Sequence, residues 1–176
     1  SERRVSMVIE NETIMHKNVV WHTYEIHYSQ LNVALDDFNE KLVNAGLTVK
    51  GPLFYALYNI PFDERILIDI YMPVEQSYVS AEKTDLMFQS YFFIDDMLMT
   101  RVNNNFEINT EHALDELLRY AIQQEYQIIS PIFHIFRGDN VSNWVELKAK
   151  VYRKEEKEDA FDDSEFSEPI FSLLDK

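Results

Sequence analysis

A carboxylate set among aromatic rings can hold an organic cation by charge and by ring quadrupole, and two stretches of this chain offer that combination. Glu146 lies two residues after Trp144, and Asp69 two residues before Tyr71. On a strand, residues two apart share a face, so each acid shares its face with a ring. Trp21 and Tyr55 are further strand aromatics that could wall the same pocket, as are Tyr58 and Phe136. The competing reading is ordinary: aromatic residues on strands pack cores and cross-strand pairs, and Glu146 could sit on an exposed face beside Lys148 or Lys150.

Other chemistry finds little support. There is no Cys, which removes thiolate nucleophiles, disulfides and thiolate metal sites. His22 and His27 are an odd number of residues apart and point to opposite faces of a straight strand. Glu25 and His27 share a face but lack a third ligand, so no metal and no cofactor is expected. No Gly-x-Ser-x-Gly elbow is present, and three unclustered glycines do not make a phosphate-cradling loop. Asp36-Asp37 and Asp95-Asp96 are adjacent pairs whose side chains diverge, as cap and turn residues do. The expectation is a protein that is not an enzyme.

The elements that must position these residues occur twice. Leu35-Asp36-Asp37-Phe38 matches Leu114-Asp115-Glu116-Leu117, and Pro52-Leu53-Phe54 matches Pro131-Ile132-Phe133. Both matches have one offset, 79 positions, from 35 to 114 and from 52 to 131. In each copy a strand-forming stretch precedes an amphipathic helix, and two strands follow. Leu31, Leu35, Phe38, Leu42 and Val43 form one helical stripe, and Leu114, Leu117, Leu118, Ala121 and Ile122 the other. Thr110 is the expected N-cap of the second helix, and Gly46 the stop of the first. Strands are expected over 53–58, 66–72, 87–102, 132–136 and 144–151. The fold class that follows is α+β: a tandem β-α-β-β repeat, with an antiparallel curved sheet and two helices packed on one face. Repeat 1 spans about 11–74 and repeat 2 about 87–152, making a single duplicated domain over 1–152. The remainder, 153–176, is an acidic tail in which Phe166, Ile170, Phe171, Leu173 and Leu174 form an apolar docking segment.

This arrangement resembles the GyrI-like small-molecule-binding domain, an effector-binding module found fused to transcription regulators and also alone. Gly51-Pro52-Leu53-Phe54-Tyr55 is similar to that family's entry strand, and Asp69-Ile70-Tyr71-Met72-Pro73-Val74 to its strand exit. Glu146-Leu147-Lys148-Ala149-Lys150-Val151 occupies the equivalent place in repeat 2, with Lys148 and Lys150 where the family pattern has Tyr and Pro. The resemblance implies a pocket acid on a repeat-2 strand, at Glu146, meeting cationic ligands. With Asp69 and the strand aromatics read from the residues themselves, the expected ligand-binding set is Glu146, Asp69, Trp21, Tyr55, Tyr71 and Trp144.

The 176 residues carry 31 Asp and Glu against 16 Lys and Arg, a formal net charge of -15. Such a field repels phosphate backbones, so nucleic acid is not an expected partner. It favours a cationic ligand or a basic protein partner. No window approaches the roughly 20 apolar residues of a membrane span, and no apolar signal core opens the sequence, so a cytoplasmic location without membrane association is expected. Two functions follow. One is a non-enzymatic binding domain holding a small cationic or aromatic ligand in the inter-repeat groove. The other is an acidic protein-interaction module, such as an immunity, chaperone or accessory protein of a bacterial toxin or secretion locus.

Overall fold

The computed structural model describes residues 7–58 and 64–154. The chain runs β1 (Ile9–His27), a 3-10 turn (Tyr28–Gln30), α1 (Leu31–Asn44), β2 (Phe54–Leu57) and β3 (Arg65–Pro73). A second passage follows: β4 (Met87–Val102), α2 (Phe106–Gln123), β5 (Tyr126–Ile128), β6 (Ile132–Gly138) and β7 (Asn143–Arg153). The expected α+β class and antiparallel sheet are both present.

The strand order is β4-β1-β3-β2-β6-β7-β5, and β4 also pairs with β7, so six strands close into a ring. The long β4 makes closure possible: 87–99 lie along β1, and 97–102 along β7. Asn11 and Asp96 have positive φ, and the β1–β4 register shifts between Ile9 and Ile14. Bulges of this kind bend a strand, which is what a long strand needs to serve two neighbours.

The register carries the duplication into three dimensions. Phe54 faces Tyr71 across β2–β3, and Phe133 faces Lys148 across β6–β7. Those pairs are the same pair in two copies, displaced by 79 positions on one strand (54 to 133) and 77 on the other (71 to 148). Where the copies meet, Tyr55 pairs with His134, its own counterpart at the 79 offset. Two residues that correspond by the repeat and face each other directly lie on the pseudo-twofold axis.

Alternation divides the side chains between two cores. On the helix side, Ala34, Phe38 and Leu42 of α1 pack on Val20, Tyr55, Ile66, Ile68 and Ile70. Ala113, Leu117 and Ala121 of α2 cover Leu98, Val102, Val145, Leu147, Ala149 and Val151. On the other face, inside the ring, Ile14, Val19, Phe54, Ala56, Tyr71, Phe92, Met97, Phe133 and Ile135 fill the space. Phe54 stacks on Tyr71 with centroids 4.8 Å apart, and Phe92 meets both edge-on.

Three local expectations need correction. Thr110 is not the N-cap of α2: the helix begins at Phe106, and its N-cap, Asn105, is left-handed (φ 45°) with no side-chain cap bond. Asp95-Asp96 is not a turn but lies inside the continuous β4, with Asp96 taking the positive φ. Val43 and Ile122, assigned to the apolar stripes, are exposed. Their immediate neighbours Leu42 and Ala121 are buried, so the covered face of each helix is turned one residue back. The apolar cluster at 166–174 lies outside the described residues.

Candidate functional site

A cavity of about 1070 Å³ lies on the helix side of the sheet, at the pseudo-twofold axis. Tyr28, Ser29, Leu31 and Asn32 border it from the start of α1, and Phe106, Glu107, Thr110 and Glu111 from the start of α2. The two walls therefore come from matching parts of the two repeats. Tyr55 and His134 lie between them, with Phe136, Trp144 and Val145 extending the lining along β6 and β7.

Tyr55 and His134 form a parallel stack, centroids 4.4 Å apart and planes within 9°. His134 is 4% exposed, its Nε2 has no hydrogen-bond partner, and burial pushes its pKa down to about 4. Its imidazole is therefore neutral at pH 7. Burial likewise raises the Tyr55 phenol, which stays protonated. The acids in the cavity wall, Glu107 and Glu111, are both exposed and lie on the first two turns of α2. Arg137 is the basic residue in the lining, and Glu146 engages it from outside that lining at 3.0 Å.

The six residues singled out in the sequence are divided by the sheet. Tyr55 and Trp144 line this cavity; Trp21, Asp69, Tyr71 and Glu146 do not. Asp69 is buried and accepts hydrogen bonds from Thr23 Oγ1 at 2.5 Å and Tyr58 Oη at 2.7 Å, with Tyr71 Oη further off at 3.4 Å. Tyr71 belongs to the aromatic core inside the ring, and Trp21 packs against it at 6.0 Å. Glu146 is bound to Arg137, while Arg101 stacks over the Trp144 ring at 4.0 Å.

Strand alternation separates Tyr55 from Asp69 and Tyr71, whereas Trp144 and Glu146, two apart on β7, share a face. Tyr55 points to the opposite face from Phe54, and Asp69 and Tyr71 pair across β2–β3 with Ala56 and Phe54, on the inner face. His134 and the two helix-start segments are the lining residues that spacing missed. The signal available was the 79 offset itself, which maps Tyr55 onto His134.

Among the described residues no group of three or more His, Asp or Glu could hold a metal ion. No described helix is long and apolar enough to cross a membrane.

The chain belongs to a family described as a domain of unknown function, DUF5085, whose model matches residues 14–153. No curated protein matches. Among solved structures the chain is similar to the C-terminal domain of EcmrR, at 10% identity and TM-score 0.57, covering 81% of this chain and 98% of that one. It is also similar to SAV2435 bound to tetraphenylphosphonium, at 14% identity and TM-score 0.52, covering 87% of this chain and 100% of that one. The fold is thus that of the GyrI-like effector-binding domain. At these identities the likeness concerns the backbone, and the site has to be argued from the residues of this chain.

Proposed function

We propose that this protein is a non-enzymatic binding domain that holds a small aromatic, cationic ligand in the groove between its repeats. The observation that carries the reading is the cavity of about 1070 Å³ on the pseudo-twofold axis, floored by the Tyr55–His134 stack and rimmed by Tyr28, Phe106, Phe136 and Trp144. Cavities of ligand-binding size run to about 1,000 Å³ and are mostly apolar with a few placed polar groups. A similar structure was determined bound to tetraphenylphosphonium, an aromatic cation, which supports the ligand class.

The counter-charge is where this reading departs from the sequence expectation. Glu146 is neutralised by Arg137, and Asp69 is turned to the other face. In the groove the acids are Glu107 and Glu111, and the formal net charge of -15 adds a general attraction for cations. Exposed carboxylates attract a cation more weakly than a buried one, because water screens them.

Thermal denaturation with a panel of hydrophobic cations tests the proposal. A ligand that binds the folded state raises the melting temperature, by about 2.7 kcal/mol of stabilisation at 100 times its dissociation constant. Tetraphenylphosphonium should raise it in the intact protein and not in Tyr55→Ala or Trp144→Ala. Absence of any shift across the panel would retire the ligand-binding reading.

A further inference from the structure

We propose that the open side of β4, Met87–Ile94, is a docking edge for this chain's own segment 166–174, which adds beside it as a strand and lays Phe171 and Leu173 on Tyr91 and Phe93. None of these residues lines the ligand groove, which sits over β2 and β6.

β1 runs beside 87–99 of β4 and β7 beside 97–102, so over 87–96 the described partner is β1 alone. Strand edges are ordinarily blunted by Lys, Pro, inward charge or a covering segment. The stretch Met87-Phe88-Gln89-Ser90-Tyr91-Phe92-Phe93-Ile94 contains no charge and no Pro, in a chain whose formal net charge is -15. A covering segment is the remaining device.

The same stretch carries an exposed apolar face. Tyr91 and Phe93 stack with centroids 6.2 Å apart and are 51% and 49% exposed. Met15, across from Phe93 on β1, is exposed beside them. Along the β1–β4 ladder the residues covered by the helices are Val20 towards one end and Leu98 towards the other, and this face falls between them. Clustered apolar exposure marks a contact site.

Three observations select the occupant. The first is where β7 leads. It runs antiparallel to β4 with Lys150 facing Met97, so it advances toward Asp96 and the open side of β4. Lys150 Nζ binds Asp95 Oδ1 at 2.6 Å, and Arg153 Nη1 reaches Asp96 Oδ1 at 3.5 Å. The chain therefore leaves the ring at the near end of the open edge. The second is reach: residues 155–165 can span up to about 40 Å when extended, against about 30 Å for the edge 87–96. The third is the pattern of the segment itself. Phe171 and Leu173 are two apart and share a face on a strand, as the stacked Tyr91 and Phe93 do. Lys17, exposed across from Tyr91, offers a charge partner to Glu168. Tethering beside the edge gives the segment a high effective concentration there, an advantage that a second copy, bringing its own net charge of -15, lacks.

Hydrogen–deuterium exchange of the full chain and of the double variant Phe171→Asp/Leu173→Asp, read by mass spectrometry, tests this. Amides of 87–94 should exchange about tenfold or more slowly in the parent than in the variant. Equal exchange in the two proteins overturns the proposal; if that shared protection rises with protein concentration, the edge belongs to a second copy. From the other side, Phe93→Lys should speed exchange over 166–174 by about the same factor, and unchanged exchange there overturns the proposal as well. Circular dichroism and cooperative melting matching the parent show that the ring of each variant is intact, so that faster exchange reports release of the segment.

Discussion

Replacing His134 with alanine tests the floor of the groove most directly. His134 is fully buried against Tyr55, with its ring stacked at 4.4 Å and its Nε2 unpartnered. Truncation removes the stack, worth about 0.5–1.5 kcal/mol beyond area burial, and opens space under Tyr55. Aromatic truncations in cores cost about 3–5 kcal/mol, and removing the unsatisfied Nε2 returns about 1–3 kcal/mol. The expected net loss is therefore about 2 kcal/mol, within a span of about 0–4 kcal/mol. His134→Phe keeps a flat ring and removes the orphan nitrogen, so it should be neutral or stabilising. Urea denaturation of the parent and both variants gives the measurement. A His134→Phe protein less stable than His134→Ala would refute the claim that the imidazole serves as a neutral stacking plate.

The same residue predicts a pH response. Its folded pKa is depressed to about 4 from an ordinary value near 6.5, so the unfolded state binds the proton more readily. Its contribution is fully present above about pH 6.5 and is lost as pH falls through that value toward 4; a parent and His134→Phe pair should diverge over this window in denaturant midpoints. Asp69→Asn should be destabilising by about 1–3 kcal/mol, because the carboxylate accepts from both Thr23 and Tyr58; an unchanged urea midpoint would count against that network. Leu117→Ala, removing a side chain of zero exposure between α2 and the sheet, should cost about 2–5 kcal/mol, read by the same denaturation. Lys150→Ala should change stability by no more than about 1 kcal/mol, since its bond to Asp95 is exposed.

Much of the architecture was legible in the residues because a repeat is a statement about register. The match of Pro52-Leu53-Phe54 to Pro131-Ile132-Phe133 at one offset is realised as two equivalent strands paired at the axis. What could not be read was closure. Nothing in the residue types of Met87–Val102 says that one strand will serve two neighbours, because pairing of both edges depends on bends at Asn11 and Asp96. The site suffered from the same gap. Six aromatic and acidic residues looked like one constellation, yet alternation sends Tyr55 to one face and Asp69 and Tyr71 to the other. Glu146 and Trp144 lie two apart on β7, and Arg137 follows from the register of the same hairpin, but Arg101 comes from β4 and no spacing rule links it to the Trp144 ring. The helix-start segments were missed because they become a wall only when the two copies face each other.

Closure of the ring pairs β4 with β7 over 97–102 only, and along 87–96 its described partner is β1 alone. Unpaired edges invite another chain to add a strand, and β1 and β7 flank β4 on both sides only over 97–99. Of the strands described, the short β5 is the terminal one, three residues long and paired only with β7. Among the described strands, edge-to-edge growth therefore has two places to begin, the short β5 and the stretch 87–96 of β4.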